Sequence, residues 1–275
     1  MSQPQCQSET PVVLTIAGSD SGGGAGIQAD IKTISATGSY ACSAITAITA
    51  QNTRGVSAVF PTPSEQVSAQ LEAIFSDMPV SAVKIGMLSN ASIIRVVSDK
   101  LRQYRPSFVV LDPVLVSSSG VCLLEPEAVS CLKEELIPLV DLLTPNLPEG
   151  LFLTGLEKAE SESEIVRLGE ELKQLGAKAS LLKGGHSADL ANSSDWLFSI
   201  EGVEKFSAAR VATRNSHGTG CTLSSAIASY IAQKHDVMDA VRLAKRYITQ
   251  ALATSERLHV GSGNGPLNHF HMLGV

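Results

Sequence analysis

Short apolar segments alternate with longer segments of helical periodicity along most of the chain, and this alternation limits the fold more than any other feature. Strands that are buried on both faces and separated by helices form a parallel, doubly wound sheet with helices on both sides. The sequence therefore predicts a three-layer α/β/α fold. The strands are predicted at residues 12–17, 43–50, 82–85, 108–111, 141–143 and 179–182, and the helices at residues 26–37, 64–76, 90–104, 126–136 and 161–175. Ser64 and Ser161 are the predicted N-caps of two of these helices.

The alternation stops after Gly185, where the sequence predicts antiparallel strands. Two apolar segments, residues 196–200 and 203–207, flank Glu201-Gly202, and a two-residue connection of this kind is typical of a β-hairpin. We expect this hairpin to extend one edge of the sheet. Two further helices are predicted at residues 220–232 and 237–257.

Composition and charge exclude several classes of partner. The chain has 275 residues, with 21 Lys and Arg against 27 Asp and Glu and no Lys/Arg-rich segment, so neither nucleic acid nor an anionic membrane is expected to bind. No apolar segment approaches the roughly 20 residues of a membrane-spanning helix.

Five widely spaced cysteines without a C-x-x-C pair favour a reducing, cytoplasmic location. No linker or repeat divides the chain, so we expect a frayed tail at residues 1–10 and one domain at residues 11–275.

The segment from His217 to Cys221 (HGTGC) has the composition of an anion-binding turn before a helix. Its two glycines allow backbone N–H groups to converge at the helix start, where the helix dipole adds positive partial charge. Such donors stabilise the charge that spreads over a phosphoryl group during transfer. The chain contains no G-x-x-x-x-G-K-[ST] sequence, so a Walker A loop is excluded, and Gly218, Thr219 and Gly220 are the predicted phosphate-binding residues.

Cys221 lies in the first turn of that predicted helix, where the helix dipole lowers the pKa of a thiol. We therefore expect Cys221 to accept the proton of a substrate hydroxyl near neutral pH. Two alternatives stay open at this point. Cys221 is a buried structural cysteine in one, and a covalent nucleophile with His217 as its base in the other.

A second glycine-rich segment, residues 22–29, supports a different reading of the chain. It contains G-x-G-x-x-A between a strand and a helix, which is the spacing of a dinucleotide-binding turn. The loop from Ala17 to Gly24 is long for that motif, and the second strand ends at Gln51 rather than at an acidic residue. The glycines otherwise bring the backbone close to a ligand or form only a flexible loop.

Polar residues follow several predicted strands, at the edge where ligands bind to open α/β sheets. The segment Asn146-Leu147-Pro148-Glu149 places an amide and a carboxylate three residues apart, which suits a hydrated Mg²⁺, although the same pattern is a helix-capping box. Asp112 is a second candidate metal ligand. Lys183 follows a strand predicted to be buried and is a candidate for neutralising phosphate charge.

Eight segments resemble the hydroxymethylpyrimidine/phosphomethylpyrimidine kinase family, in order and over nearly the whole chain. They are residues 14–20 (LTIAGSD), 23–30 (GGAGIQAD), 50–53 (AQNT), 84–88 (KIGML), 111–114 (LDPV), 144–149 (TPNLPE), 183–186 (KGGH) and 217–222 (HGTGCT). Cys221 stands where most members of the ribokinase-like superfamily have Asp. A cysteine at this position resembles the pattern of the pyrimidine kinase branch of that superfamily.

The resemblance implies a ribokinase-like fold and a specific reaction. ATP with Mg²⁺ would phosphorylate 4-amino-5-hydroxymethyl-2-methylpyrimidine and then its monophosphate, which yields the diphosphate used in thiamine synthesis. A homodimer is the implied assembly. Pyridoxal kinase is the nearest alternative activity, because pyridoxal is also a flat heteroaromatic alcohol. A nicotinamide-dependent oxidoreductase and a non-catalytic pyrimidine-binding regulator stay open as alternatives from other classes.

The resemblance also implies roles for individual residues. Asp30 and Gln51 would contact the pyrimidine, and Gln51 offers both a donor and an acceptor to an aminopyrimidine edge. The other implied residues are Gly18, Met87 and Val114 in the pyrimidine pocket, Asn146, Lys183 and Thr219 at the nucleotide, Asp112 and Glu149 at the metal, and Gly218, Thr219, Gly220 and Cys221 in the anion hole.

Overall fold

A computed structural model describes residues 10–115, 124–186 and 191–273, and its centre is one mixed sheet of nine strands. The strand order is β3-β2-β1-β4-β5-β6-β7-β8-β9. The six strands from β2 to β7 in this order are parallel, and antiparallel pairs lie at both edges. The strands are β1 Val12–Asp20, β2 Tyr40–Asn52, β3 Gly55–Pro61, β4 Val80–Ile85, β5 Val109–Leu111, β6 Leu142–Leu143, β7 Ala179–Leu182, β8 Asn192–Ser199 and β9 Gly202–Ala209. The predicted doubly wound sheet with an antiparallel edge hairpin is confirmed.

Helices cover both faces of this sheet. Val13 and Leu14 are neighbours on β1, and their side chains belong to two separate buried clusters because successive residues of a strand face opposite sides. Helices α1, α7 and α8 pack into the cluster of Val13, and α2 to α6 into that of Leu14. The helices are α1 Gly26–Ala36, α2 Ser64–Phe75, α3 Ala91–Tyr104, α4 Pro126–Cys131, α5 Leu147–Thr154, α6 Glu162–Gln174, α7 Thr219–Ala232 and α8 Val237–Ala253.

None of the helices in the described part of the chain is both long enough and apolar enough to cross a bilayer. The predicted tail at residues 1–10 lies outside the described residues, except for Thr10, which is exposed.

Both antiparallel edges differ from the predicted strands. At one edge β2 turns back into β3, with Asn52 paired to Gly55, and this hairpin was not predicted because no Asn-Gly or Asp-Gly pair marks the turn. At the other edge Ser199 pairs with Gly202, so the turn residues are Ile200 and Glu201 rather than Glu201 and Gly202. Gly202 has a φ of 129° and begins β9 instead of forming the turn.

The helix boundaries confirm one predicted cap and correct another. Ser161 is the N-cap of α6, and it forms a capping box with Glu164. Ser64 is the first residue of α2 rather than its N-cap. Pro63 occupies the N-cap position, and no side chain in the described residues caps this helix. The helix predicted at residues 126–136 is also wrong as a single element, since α4 changes to a π-helical turn at Leu132–Leu136.

Candidate active site

A cavity of about 1140 Å³ lies at the carboxyl ends of the parallel strands. This is the edge at which open α/β sheets bind their ligands, and a cavity of this size has room for a small substrate together with a nucleotide. Twelve of the thirteen site residues expected from the sequence line it, and only Asp30 does not. The twelve are Gly18, Gln51, Met87, Asp112, Val114, Asn146, Glu149, Lys183, Gly218, Thr219, Gly220 and Cys221.

The turn before α7 presents backbone donors to this cavity. Gly218 is the N-cap with a left-handed φ of 88°, and a Cβ at this position would overlap the carbonyl oxygen of Gly24. The N–H of Thr222 already bonds to the oxygen of Gly218 at 2.9 Å. Within the described residues, the N–H groups of Gly220 and Cys221 have no acceptor, as is usual in the first turn of a helix. The turn is therefore able to bind an anion.

Cys221 differs from its predicted ionisation state. Burial raises the pKa of its thiol to about 11, although the charge of Lys84 and a hydrogen bond from the backbone of Gly26 act in the opposite direction. The expectation that the helix dipole lowers this pKa is wrong, because desolvation of the thiolate outweighs the dipole. Cys221 is a neutral thiol in the free protein at neutral pH.

Lys183 connects two carboxylates next to that turn. Its Nζ atom lies 2.5 Å from Asp112 Oδ1 and 4.0 Å from Glu149 Oε2, and the lysine side chain is only 11% exposed. Burial alone would lower the pKa of Lys183, but the two carboxylates raise it, so the side chain is charged. A Cβ on Gly220 would lie 3.1 Å from Asp112 Oδ2 and 3.2 Å from Lys183 Nζ, so this glycine lets both groups approach the turn closely.

Asn146 and Glu149 form the capping box that the sequence left as an alternative. The side chain of Asn146 accepts the N–H of Glu149 at 2.9 Å, and the carboxylate of Glu149 accepts the N–H of Asn146 at 2.8 Å. Both residues nevertheless line the cavity. Burial and the nearby charge of Asp112 raise the pKa of Glu149 to about 7, against the effect of Lys183. Capping and metal binding are compatible here, because each carboxylate oxygen accepts more than one partner.

Asp30 does not reach the cavity, which corrects the role implied for it. It lies on α1 with no exposed surface, and its two oxygens accept bonds from Lys84 Nζ at 2.8 and 2.9 Å. The hydroxyls of Thr15 and Ser225 donate to it at 2.6 and 2.7 Å. Ser225 lies one turn after Cys221 on α7, so this buried cluster supports the start of that helix.

A histidine that the sequence considered only as the base of a nucleophilic cysteine connects two parts of the site. His217 Nε2 lies 2.9 Å from Asp20 Oδ2 and 3.1 Å from the side-chain amide of Gln51. Asp20 also accepts the backbone N–H groups of Gly22, Gly24 and Ala25 at 2.8 to 3.0 Å. Asp20 thus holds the glycine-rich loop after β1 against the residue that precedes the anion-binding turn.

Another buried ion pair, Asp195 with Lys245, lines the cavity. Asp195 Oδ2 is 2.7 Å from Lys245 Nζ, and Asp195 Oδ1 accepts the backbone N–H of Gly184 at 2.9 Å. This pair fixes the backbone next to Lys183. Nothing in the local sequence around Asp195 or Lys245 marked them, because they are 50 residues apart.

Comparison with known proteins identifies the family. The model of the phosphomethylpyrimidine kinase family matches residues 20–268. The chain belongs to the phosphomethylpyrimidine kinase family. A hydroxymethylpyrimidine/phosphomethylpyrimidine kinase of Rhizobium meliloti (strain 1021) is 50% identical over 262 residues, which are 95% of this chain and 98% of the relative.

Two solved structures extend this comparison. The phosphomethylpyrimidine kinase of Clostridium difficile 630 is 47% identical with a TM-score of 0.78, over 87% of this chain and 98% of that one. A Bacillus subtilis pyridoxal kinase in an ADP complex is 32% identical with a TM-score of 0.88, over 97% and 100% of the two chains. The resemblance inferred from the eight segments and the predicted ribokinase-like fold are both confirmed.

Membership in the phosphomethylpyrimidine kinase family also settles two alternatives. The chain is a kinase rather than a nicotinamide-dependent oxidoreductase, so the G-x-G-x-x-A match at residues 24–29 is not a dinucleotide-binding motif. Those residues instead form the loop held by Asp20 and the first turn of α1. A purely regulatory role without catalysis is likewise excluded by the named kinases at this level of identity.

Proposed function

We propose that this enzyme transfers the γ-phosphoryl group of ATP to the hydroxymethyl oxygen of 4-amino-5-hydroxymethyl-2-methylpyrimidine, and a second one to the phosphate of the product, for thiamine synthesis. The observation that carries this proposal is the position of the unbonded N–H groups of Gly220 and Cys221. They open into the same cavity as Gln51 and Lys183. In each transfer the acceptor oxygen bonds to phosphorus and the bond from phosphorus to the bridging oxygen of ADP breaks. In the first transfer the acceptor hydroxyl also releases its proton, whereas the phosphate dianion that accepts the second group has none to release.

The pyrimidine end of the cavity lies between β1, β2 and the segments after β4 and β5. Gln51 supplies the polar contact, and Gly18, Met87 and Val114 provide a flat apolar surface for the ring. Met87 is held in place because its carbonyl oxygen accepts the hydroxyl of Thr46 at 2.6 Å.

The nucleotide end lies beyond the turn before α7. Lys183 and the N–H groups of Gly220 and Cys221 are placed to contact the phosphates, and Asn146 and Thr219 lie beside them. The cavity continues to the segment at residues 208–211 and to Ile248 and Leu252 on α8. The side chains of Ala208, Ala209, Val211, Ile248 and Leu252 are apolar and suit an adenine base. Solved relatives with ADP bound are consistent with ATP as the donor.

Asp112 and Glu149 are the residues that would hold Mg²⁺. Mg²⁺ is commonly bound by one or two carboxylates together with substrate phosphates, and no group of three or more metal-binding side chains lies within the described residues. In the described part of the chain, Lys183 is the one cation paired with both carboxylates, so its charge does not balance two negative charges when both are ionised. Bound there, the metal would neutralise charge on the transferring phosphoryl group.

Cys221 is proposed to act as the base in its thiolate form. Its thiol first releases a proton to solvent water, and the thiolate then takes the proton of the acceptor hydroxyl. Because the thiol is neutral in the free enzyme, the backbone donors of the turn are expected to supply most of the stabilisation of the transition state. The base role is tested with Cys221→Ala and Cys221→Asp. We expect Cys221→Ala to lower kcat about 100-fold or more with little change in ATP binding, and Cys221→Asp to retain more activity.

Mass spectrometry of the products tests the reaction itself. Incubation with Mg–ATP and the pyrimidine alcohol should give two successive phosphate additions, whereas a single addition would contradict the second transfer. Unchanged turnover of Cys221→Ala would contradict the base role. Pyridoxal is assayed in parallel, because the likeness to a pyridoxal kinase supports a side activity on that substrate.

The enzyme is proposed to be a cytoplasmic homodimer built from one domain per chain, residues 11–275. Ile48 on β2 and Phe60 on β3 are directly paired across the edge hairpin and are 58% and 61% exposed. A pair of large apolar side chains this exposed on a sheet edge favours a protein contact. Cys42, Cys131 and Cys221 are all free thiols, which fits a reducing compartment.

A further inference from the structure

The ring nitrogen Nε2 of His217 faces the side chains of Asp20 and Gln51. The carboxylate of Asp20 can only accept a hydrogen bond, whereas the Gln51 amide has an oxygen that accepts and a nitrogen that donates. His217 Nε2 lies 2.9 Å from Asp20 Oδ2, and the end of the Gln51 amide placed as its nitrogen lies 3.1 Å from the same ring nitrogen. The other end of that amide, placed as its oxygen, is 3.1 Å from Thr49 Oγ1. A ring nitrogen either carries one hydrogen or has one lone pair, so the state of Nε2 decides which end of the amide faces it.

Asp20 fixes the hydrogen on Nε2. Its carboxylate accepts three backbone N–H groups, from Gly22, Gly24 and Ala25. Burial alone would raise the pKa of Asp20, but the hydrogen bonds from His217, Ala25 and Gly22 lower it below its ordinary value, so the carboxylate is ionised and has no hydrogen to give. The hydrogen in the contact with His217 therefore belongs to Nε2.

The Gln51 amide must then be turned over, so that its oxygen faces His217 and shares the single Nε2 hydrogen with Asp20. If the amide nitrogen of Gln51 faced His217 instead, an N–H of Gln51 and the N–H of His217 would point at each other. The nitrogen and oxygen ends of a side-chain amide are told apart only by their hydrogen-bond partners, so this contact decides between them. The contact with Thr49 agrees with this orientation. The Thr49 hydroxyl donates its hydrogen to the carbonyl of Ser19 at 2.9 Å, so its lone pairs are available to accept the Gln51 N–H.

We propose that Asp20 and His217 lock the Gln51 amide in this orientation and thereby determine which pyrimidine edge the enzyme accepts. The proposal rests on the contact between Gln51 and the pyrimidine proposed above. After its two contacts with His217 and Thr49, the amide has one oxygen lone pair and one N–H left for a ligand, and their order in space is fixed.

That order selects an amino group next to an unprotonated ring nitrogen. The substrate's 4-amino group donates to the amide oxygen, and ring nitrogen N3 accepts the amide N–H. The 4-oxo analogue, 5-hydroxymethyl-2-methylpyrimidin-4-one, presents the reverse order, an acceptor at C4 and a donor at N3. The ring cannot turn over to compensate, because its hydroxymethyl arm has to point toward Gly220 and Cys221. Rotating the amide instead would create mismatched contacts at both His217 and Thr49.

The test compares the amino substrate with the 4-oxo analogue by the ratio of their kcat/KM values. We expect the enzyme to prefer the amino substrate by on the order of 100-fold, because two buried hydrogen bonds are mismatched with the analogue. In His217→Leu the amide is free to rotate, so this ratio should fall about 10-fold or more. His217→Gln keeps an N–H that can point at Asp20 and should preserve more of the preference.

The outcomes separate this inference from the proposed role of Gln51. If His217→Leu lowers kcat/KM for both compounds equally, His217 is only structural and the inference is overturned. If Gln51→Leu keeps the full preference for the amino substrate, Gln51 does not read the pyrimidine, and both statements are wrong.

A measurement on the unaltered enzyme guards against misfolding of the variants. In ¹⁵N-histidine-labelled protein, long-range ¹H–¹⁵N NMR at pH 7 to 8 should show a protonated, pyrrole-type Nε2 for His217. His217→Gln identifies its signal. A pyridine-type Nε2 would overturn the proposal.

Discussion

Lys84 Nζ lies 2.8 and 2.9 Å from the two carboxylate oxygens of Asp30, and neither side chain has any exposed surface. Burial alone would lower the pKa of Lys84, but the charges of Asp30 and Asp112 and the hydrogen bond to Asp30 raise it above its ordinary value. The pair joins β4 to α1, and through Ser225 it joins α7 as well. The ion pair thus lies beneath the anion-binding turn and holds three elements together.

Lys84→Met should be strongly destabilising, because it leaves the carboxylate of Asp30 buried without a counter-ion. We expect the free energy of unfolding, measured by urea denaturation at pH 7, to fall by about 3–5 kcal/mol. The control is the double variant Lys84→Met/Asp30→Asn, in which no buried charge remains. It should recover a large part of the loss, and equal losses in both variants would contradict this account.

Cys221 should react slowly with alkylating reagents at neutral pH. Since burial raises the thiol pKa to about 11, the thiolate fraction and the rate of reaction with iodoacetamide should rise about tenfold per pH unit from pH 7 to 10 without levelling off. Peptide mass spectrometry measures the rate at Cys221 separately from the other cysteines, with free glutathione as the reference thiol. A plateau below pH 9 would show that the helix dipole outweighs burial.

The sequence predicted the cavity-lining residues well because they depend on local position. Asp112, Asn146 and Lys183 each follow a parallel strand, and the carboxyl ends of parallel strands meet at one edge. The turn at Gly218 was predictable for the same reason, since a glycine at the N-cap and a second glycine in the first turn are local features of the sequence.

Properties that depend on distant packing were not predictable in this way. The partners of Asp30 on β4 and α7 are 54 and 195 residues away in the chain, so its sequence neighbours gave no sign that its hydrogen bonds are all made inside the protein. The pKa of Cys221 was wrong in sign because a local rule, the helix dipole, competes with desolvation by residues far away in the sequence. Asp20 and His217, 197 residues apart, were missed as a pair for the same reason.

Glu149→Gln should stabilise the metal-free protein at alkaline pH. The pKa of Glu149 is raised from its ordinary value to about 7 in the folded state, so the folded protein binds its proton more tightly than the unfolded chain does. Its contribution to stability is therefore complete below its ordinary pKa and is lost as the pH rises through about 7. Glutamine keeps the carbonyl that caps Asn146 and removes the buried charge.

Denaturation with EDTA present, at pH 5 and pH 8, measures this effect. We expect Glu149→Gln to gain about 1–3 kcal/mol over the unaltered protein at pH 8 and little at pH 5. A gain of the same size at both pH values would show that the buried charge is not its cause.

The exposed pair Ile48 and Phe60 should determine whether two chains associate. Replacing both with lysine places like charges on the proposed interface, so we expect a monomer by analytical ultracentrifugation where the unaltered enzyme is a dimer. Ile200→Lys is the matched control, because Ile200 is fully exposed in the turn at the opposite edge of the sheet and its replacement should leave the dimer intact. Far-ultraviolet circular dichroism checks that the edge hairpin still folds. A folded Ile48→Lys/Phe60→Lys variant that remains dimeric would place the contact elsewhere, since two added charges on each chain cannot be buried against each other without a large loss of affinity.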